Sequence, residues 1–226
     1  MPLFQKAQKI DDRKKVKEAW AEIFDLDSKN TAEILRKLGE VNKLPATIRE
    51  DVISHEDENH QLHLKKLGVV ERALSNINFN SSWQGIKKQL DEATVLSIEH
   101  CSDMLSKYSN EKVLEEDDLE VLRKKVQEFK NDLSGYEIDH QLSSLIFDKV
   151  NDIERAIFDY ELKGTALIQK EVESAFGSYF MQIEVMQKDE KIAVKFFEFL
   201  SHISALIHVS EYAPALMEHV VKLLGN

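Results

Sequence analysis

The sequence predicts an all-α protein, an elongated multi-helix bundle of about seven to nine helices, and three observations carry that prediction. Breakers are scarce: seven Gly and three Pro are spread over 226 residues, so the elements must be long. Apolar residues recur at spacings of three and four, and no segment sustains the two-residue alternation of a half-buried strand. The most patterned stretch, Leu142 to Gly177, aligns Leu142, Ile146, Val150, Ile153, Ile157, Tyr160 and Gly164 with charge filling the positions between. That is an amphipathic helix burying one stripe.

Taken in order, the first helix is predicted from Asp11, with Val16, Ala19, Trp20, Ile23 and Phe24 on one face and a stop in Asp25 to Ser28. Asn30 followed by Glu33 starts a second helix carrying Ile34, Leu35, Leu38 and Val41. Leu44-Pro45 should end it, because the residue before proline is pushed out of helical geometry. Thr47 and Glu50 then have capping-box spacing and open a third helix toward Leu74, through a very polar middle from Ser54 to Gln61 that reads equally as a break. Asn76 to Ser82 is the clearest loop, since its short polar side chains compete for backbone hydrogen bonds.

Trp83 should open a helix through Ile86, Leu90, Ile98, Cys101 and Met104 to Tyr108, stopped by Ser109-Asn110-Glu111. Glu115 to Asp118 place acids in the first turn of the next helix, where the dipole favours them, and Ser134-Gly135 closes it. The patterned stretch follows from near Asp139 to Lys163. Gly164-Thr165 has the order of a helix-ending glycine and a cap, so two helices should meet there. The second carries Leu167, Ile168, Val172, Phe176, Phe180, Ile183 and Met186. An apolar tail runs from Lys191, and Pro214 sets off a last helix bearing Leu216, Met217, Val220 and Leu224. These elements divide into an N-terminal region, 1–109, and a C-terminal bundle with the apolar tail, 110–226, or form a single domain.

Hydrophobic residues at 42% and charged residues at 31% are those of a soluble globular chain. The net charge of −11 repels nucleic-acid phosphates and the anionic face of a membrane unless a basic patch is segregated, so free nucleic acid is not expected as a partner. The single Cys101 cannot form an internal disulfide and sits among apolar neighbours, as a cytoplasmic thiol does. Charged residues follow the N-terminal Met1-Pro2-Leu3-Phe4 so closely that no secretion signal is read.

Residues Ile153 to Gly164, with Leu167 and Val172 to Gly177, resemble a segment of uncharacterised bacterial all-helical cytoplasmic proteins, which often end in a similarly apolar tail. The resemblance covers about a third of the chain and carries no catalytic motif. It implies a bacterial cytoplasmic origin and, by analogy only, a toxin, immunity or phage-defence setting.

The chemical candidates are few. Glu56, His60 and His63 are spaced i, i+4 and i+7 and would share one face of a continuous helix, a donor set for zinc or another divalent ion. A solvated polar face is the preferred reading there. Glu137 and His140 have the Glu-x-x-His spacing of di-iron bundles but lack a second such motif. Arg49, five residues and then His55 resemble the Arg-to-His spacing of helical ribonucleases among bacterial toxins, a spacing that chance supplies readily. His100 and Cys101 point about 100° apart on a helix and cannot act together. Isolated glycines exclude the nucleotide loops, and no cofactor is expected. The short basic runs Lys87-Lys88 and Arg123-Lys124-Lys125 have acids nearby and read as solvated faces.

Phe199 to Ser210 lacks Lys, Arg, Asp and Glu but is too short to span a bilayer, so stable membrane insertion is not expected. Core packing is the preferred role of the tail; otherwise Phe196, Phe197, Leu200, Ile203, Leu206 and Ile207 form an interface with a partner or a second copy. The function expected is therefore a non-enzymatic helical interaction or scaffold protein that binds another protein or forms a homo-oligomer. Its rivals are a ribonuclease-like toxin through Arg49 and His55, a metal-binding protein, and an effector that associates with membranes through its tail.

Overall fold

The computed structural model describes residues 2–55, 61–108 and 112–207. Those residues form eleven helices, more than the seven to nine expected, and no strand beyond one isolated bridge between Lys15 and Ser82. The chain divides into two compact units, Met1–Asn110 and Glu111–Asn226.

The first unit begins with a helix the sequence reading passed over. α1 (Pro2–Lys9) buries Leu3, Phe4 and Ala7 at helical spacing, and Ile10 just after it. The helix expected from Asp11 starts only at α2 (Val16–Ile23), because the Asp11 carboxylate takes the backbone and guanidinium N–H groups of Arg13 and holds a turn. α2 ends in a Schellman arrangement: Asp25 is left-handed (φ 56°), its N–H meets Glu22 O, and the Leu26 N–H reaches Ala21 O at 2.8 Å.

α3 (Thr31–His55) contains the largest correction. Asn30 Oδ1 accepts the Glu33 N–H as expected, but the helix continues through Pro45. Proline removes the donor for the Val41 carbonyl, at a cost of about 3 kcal/mol. Val41, Pro45 and Val52 are all buried on one face, and burying several such side chains, at about 1.5–3 kcal/mol each, outweighs that cost. Thr47 is consequently not a cap; its hydroxyl donates to Lys43 O, four residues back in the same helix.

α4 (Gln61–Ser75) buries Leu67, Val70, Ala73 and Leu74. The single helix expected from Trp83 to Tyr108 is two, the short α5 (Gln84–Lys87) and α6 (Glu92–Ser106). Asp91 divides them by accepting the Thr94 N–H at 2.7 Å, an N-cap inside an otherwise continuous apolar pattern. Trp20 packs on Phe24 and meets Trp83 edge-on at 5.3 Å.

The second unit is built on one core. α7 (Glu116–Leu133) starts and stops where predicted. α8 (His140–Phe158) is capped by Asp139, which accepts from Gln141 and Leu142 N–H, and ends five residues before the expected Lys163. α9 (Tyr160–Met181) is broken internally at Gly164, whose φ of 64° and ψ of −166° are not helical, so the expected division at Gly164-Thr165 is present. α10 (Ile183–Met186) is one turn, and α11 (Glu190–Leu206) begins under an Asp189 cap.

α11 is the apolar tail, and it is core. Phe196, Phe197, Leu200 and Ile203 are fully buried, Ile207 nearly so, and Leu206 packs partly buried against the same cluster. Phe129 of α7 stacks on Phe199 at 4.4 Å, while Phe176 and Tyr179 of α9 meet Phe197 edge-on. These side chains are spent on α7 and α9, so the interface offered for them from sequence is corrected to an interior. Among the described residues no helix is long and apolar enough to cross a membrane. The proposed helix after Pro214 lies outside the described residues.

Candidate functional site

Arg49 and His55, proposed for ribonuclease chemistry, do not assemble. Arg49 donates to Glu71 of α4 at 2.7 Å, whereas His55 Nδ1 lies 2.9 Å from its own helix's Asp51 O and its ring meets Tyr108 at 4.8 Å. The two therefore engage different partners. Glu56 and His60 lie outside the described residues, and so does the side chain of His63. Among the described residues no group of three His, Cys, Asp or Glu side chains is placed to hold a metal ion. Glu137 and His140 are both exposed. Cys101 is buried against Val52 and Met104, and burial pushes its thiol pKa up, away from the reactive thiolate.

The basic runs are paired, as their neighbours suggested. Lys87 meets Asp12 and Ile10 O, Arg123 meets Glu116 at 2.7 Å, and Lys124 and Lys125 share Glu128.

Two surface grooves of the second unit are lined by charged side chains. The one between α7 and α8, about 410 Å³, has Glu120, Arg123, Lys124 and Glu154 around Val126 and Ile157. The one between α7 and α11, about 380 Å³, sits over Phe129 and Phe199 with Lys125, Glu128, Asp132, Lys195 and Glu198 at its edge. There Asp132 and then Tyr136 hold the Lys195 pKa above its ordinary value. Both grooves are thus edged by charged side chains of either sign.

The groove of the first unit is of another kind. Leu35, Gly39 and Asn42 follow at i, i+4 and i+7 along α3, and with Leu38, the end of α4 at Leu74, and Ile77, Asn78 and Phe79 of the following loop they enclose about 520 Å³. Leu38 and Leu74 are the buried floor. Leu35 is 53% exposed, although its neighbours Ile34, Leu38 and Val41 are core. An added Cβ at Gly39 would meet nothing within 4 Å, so this wall is open at its middle.

The loop wall is fixed in place. Asn78 Oδ1 accepts the Asn80 N–H, Asn78 O accepts from Ser81, and Phe79 O accepts the Lys17 N–H at the start of α2. Trp83 follows at once and anchors the loop by donating its indole N–H to Ala7 O at 3.0 Å. On α3 the flanking charges pair along the helix, Arg36 with Glu33 and Lys43 with Glu40. The rim is thus amide and internally neutral, with apolar side chains beneath it.

From sequence Leu35 is simply one of the apolar residues of its helix, with Ile34, Leu38 and Val41, and the groove is not foreseen. A signal was present in the loop, where Ile77 and Phe79 alternate with asparagines and have no element of their own to pack in. The unit that carries the groove has nearly balanced charge, and the acidic excess falls in residues 111–226, with thirteen basic against twenty-three acidic side chains. Comparison of the chain with protein-family models, with curated proteins and with solved structures gave no match.

Proposed function

We propose that the chain is a non-enzymatic helical interaction protein, whose first unit takes an apolar segment of another protein or of a second copy into the groove of Leu35, Gly39, Ile77 and Phe79. The observation that carries this reading is the groove itself: an apolar surface with fixed walls and an internally neutral rim, in a chain whose other described grooves are edged by charged side chains. Apolar side chains entering it would gain burial without stripping water from unpaired charge. The acidic second unit supports a protein partner over a nucleic acid. The resemblance of residues 153–177 supports a bacterial cytoplasmic setting, and by analogy a toxin, immunity or phage-defence role.

A photo-crosslinking amino acid at position 39, where the side chain has room, tests the reading in cells. The expected result is one dominant crosslinked product of defined mass, abolished by Leu35→Asp in the same chain. A product pattern indifferent to Leu35→Asp sinks the proposal, and so does the absence of any product.

A further inference from the structure

The start of the second unit is tied down from three directions. Residues 112–114 belong to no helix or strand, with Leu114 buried and Val113 77% exposed. Tyr160 Oη accepts the Leu114 N–H at 2.7 Å and donates back to the Leu114 carbonyl at 3.2 Å. Thr165 Oγ1 donates to Lys112 O. Lys112 Nζ donates to Leu206 O at 3.1 Å, filling a carbonyl that the end of α11 leaves open.

Gly164 lies between the two side chains that hold this strap, and its φ of 64° with ψ of −166° belongs to a region that glycine alone enters without strain. On an unbroken helix, residues five apart are rotated by about 140°. Tyr160 and Thr165 would then point to different sides and could not both reach a three-residue segment. The break at Gly164 brings them to the same side, so the strap fits only the kinked helix. The kink in turn breaks the i→i−4 ladder across Gly164, where on a continuous helix the N–H groups of Ala166 and Leu167 would pair with the carbonyls of Leu162 and Lys163. Each arrangement satisfies backbone groups that the other leaves open.

We propose that residues 112–114 and Gly164 form a two-position conformational switch. In one position the strap is fastened and α9 is kinked. In the other the strap is free and α9 is continuous through Gly164. Whatever draws Lys112–Leu114 away favours the straight helix, and whatever straightens α9 frees the strap and the end of α11, because the coupling is reciprocal.

Residue-resolved amide hydrogen exchange on the full chain tests this, comparing the unaltered protein with Tyr160→Phe. Loss of the phenolic oxygen should speed exchange at Leu114 on the order of tenfold, with only a slight gain of protection at the amides of Ala166 and Leu167 while the kinked form is still the main one. Gly164→Ala, which disfavours the kinked backbone outright and makes the straight helix the main form, should speed exchange at Leu114 further and protect Ala166 and Leu167 about tenfold or more. Faster exchange at Leu114 in Gly164→Ala with Ala166 and Leu167 unchanged or faster overturns the switch and leaves a fixed structural tie. No change at Leu114 also overturns it. If Gly164→Ala does not fold, the double variant Tyr160→Phe with Thr165→Val, which removes both side-chain ties, takes its place with the same expected and overturning outcomes.

Discussion

The two units bury their apolar residues in opposite ways. The first sets short elements against the long α3 and joins them by bonds between distant residues: Trp83 to the Ala7 carbonyl, Lys87 to the Ile10 carbonyl, Gln8 to the Leu90 carbonyl. The second lays four long helices around one aromatic core, and its comparable ties, from Tyr160, Thr165 and Lys112 to backbone groups, serve the strap before α7 and the end of α11. Helices with a full apolar stripe close on one another and leave only grooves edged by charge. An assembly stitched at its loops leaves gaps where the pieces meet, and the groove of Leu35 and Phe79 is one of them. Binding surface arises here as a by-product of how the core is closed.

The sharpest test of that contrast is in the second core. Phe197→Ala should cost about 3–5 kcal/mol, because Phe197 is fully buried between Phe176 and Tyr179 and the cavity cannot collapse; denaturant unfolding followed by circular dichroism measures it. A cost below about 1 kcal/mol would mean the core is not packed as described. In the first unit the comparable weak point is a single bond. Trp83→Phe keeps most of the buried ring but leaves the Ala7 carbonyl without its indole donor, and should cost about 1–3 kcal/mol.

Tyr179 offers a change of the opposite sign. Its hydroxyl is buried with no hydrogen-bond partner among the described residues, and burial pushes its pKa well up. Tyr179→Phe should therefore stabilise the protein by about 1 kcal/mol, read from the same unfolding curves. The groove should respond least of all: Leu35→Ser ought to change stability by no more than about 0.5 kcal/mol, since Leu35 is more than half exposed. A large loss of stability there would make Leu35 a core residue and remove the distinction between the units.

A pH effect completes the series. Lys188, with the Leu142 and Gln141 N–H groups, holds the Asp139 carboxyl below the ordinary carboxylate range. The folded pKa is the lower one, so this cap's contribution is complete above that range and fades as pH falls through the depressed value. Asp139→Asn should flatten the corresponding part of an acid-unfolding curve; an unchanged curve would show that the cap is energetically silent.

Helices whose ends carry their own chemistry were legible. The acids at 116–118 start α7, Ser134 ends it, and Asn30 starts α3. Local rules failed where packing or an unnoticed cap prevailed. Pro45 is carried through α3 by burial on both sides of it, and Asp91 interrupts an apolar period that otherwise reads as unbroken. An interface stood beside the preferred core reading of the tail because an apolar stripe looks the same whether it meets its own chain or another. The groove was illegible for a different reason. It exists only where α3, α4 and a loop come together, and no one of them shows it.

The clustering of Trp20 against Trp83 has an optical consequence. Both tryptophans and the sole cysteine lie in the first unit, so indole emission and thiol labelling at Cys101 report the unfolding of that unit alone. The second unit, lit only by tyrosine and phenylalanine, is dark to both probes. Any disagreement between those signals and total helix content is then a direct reading of one unit melting before the other.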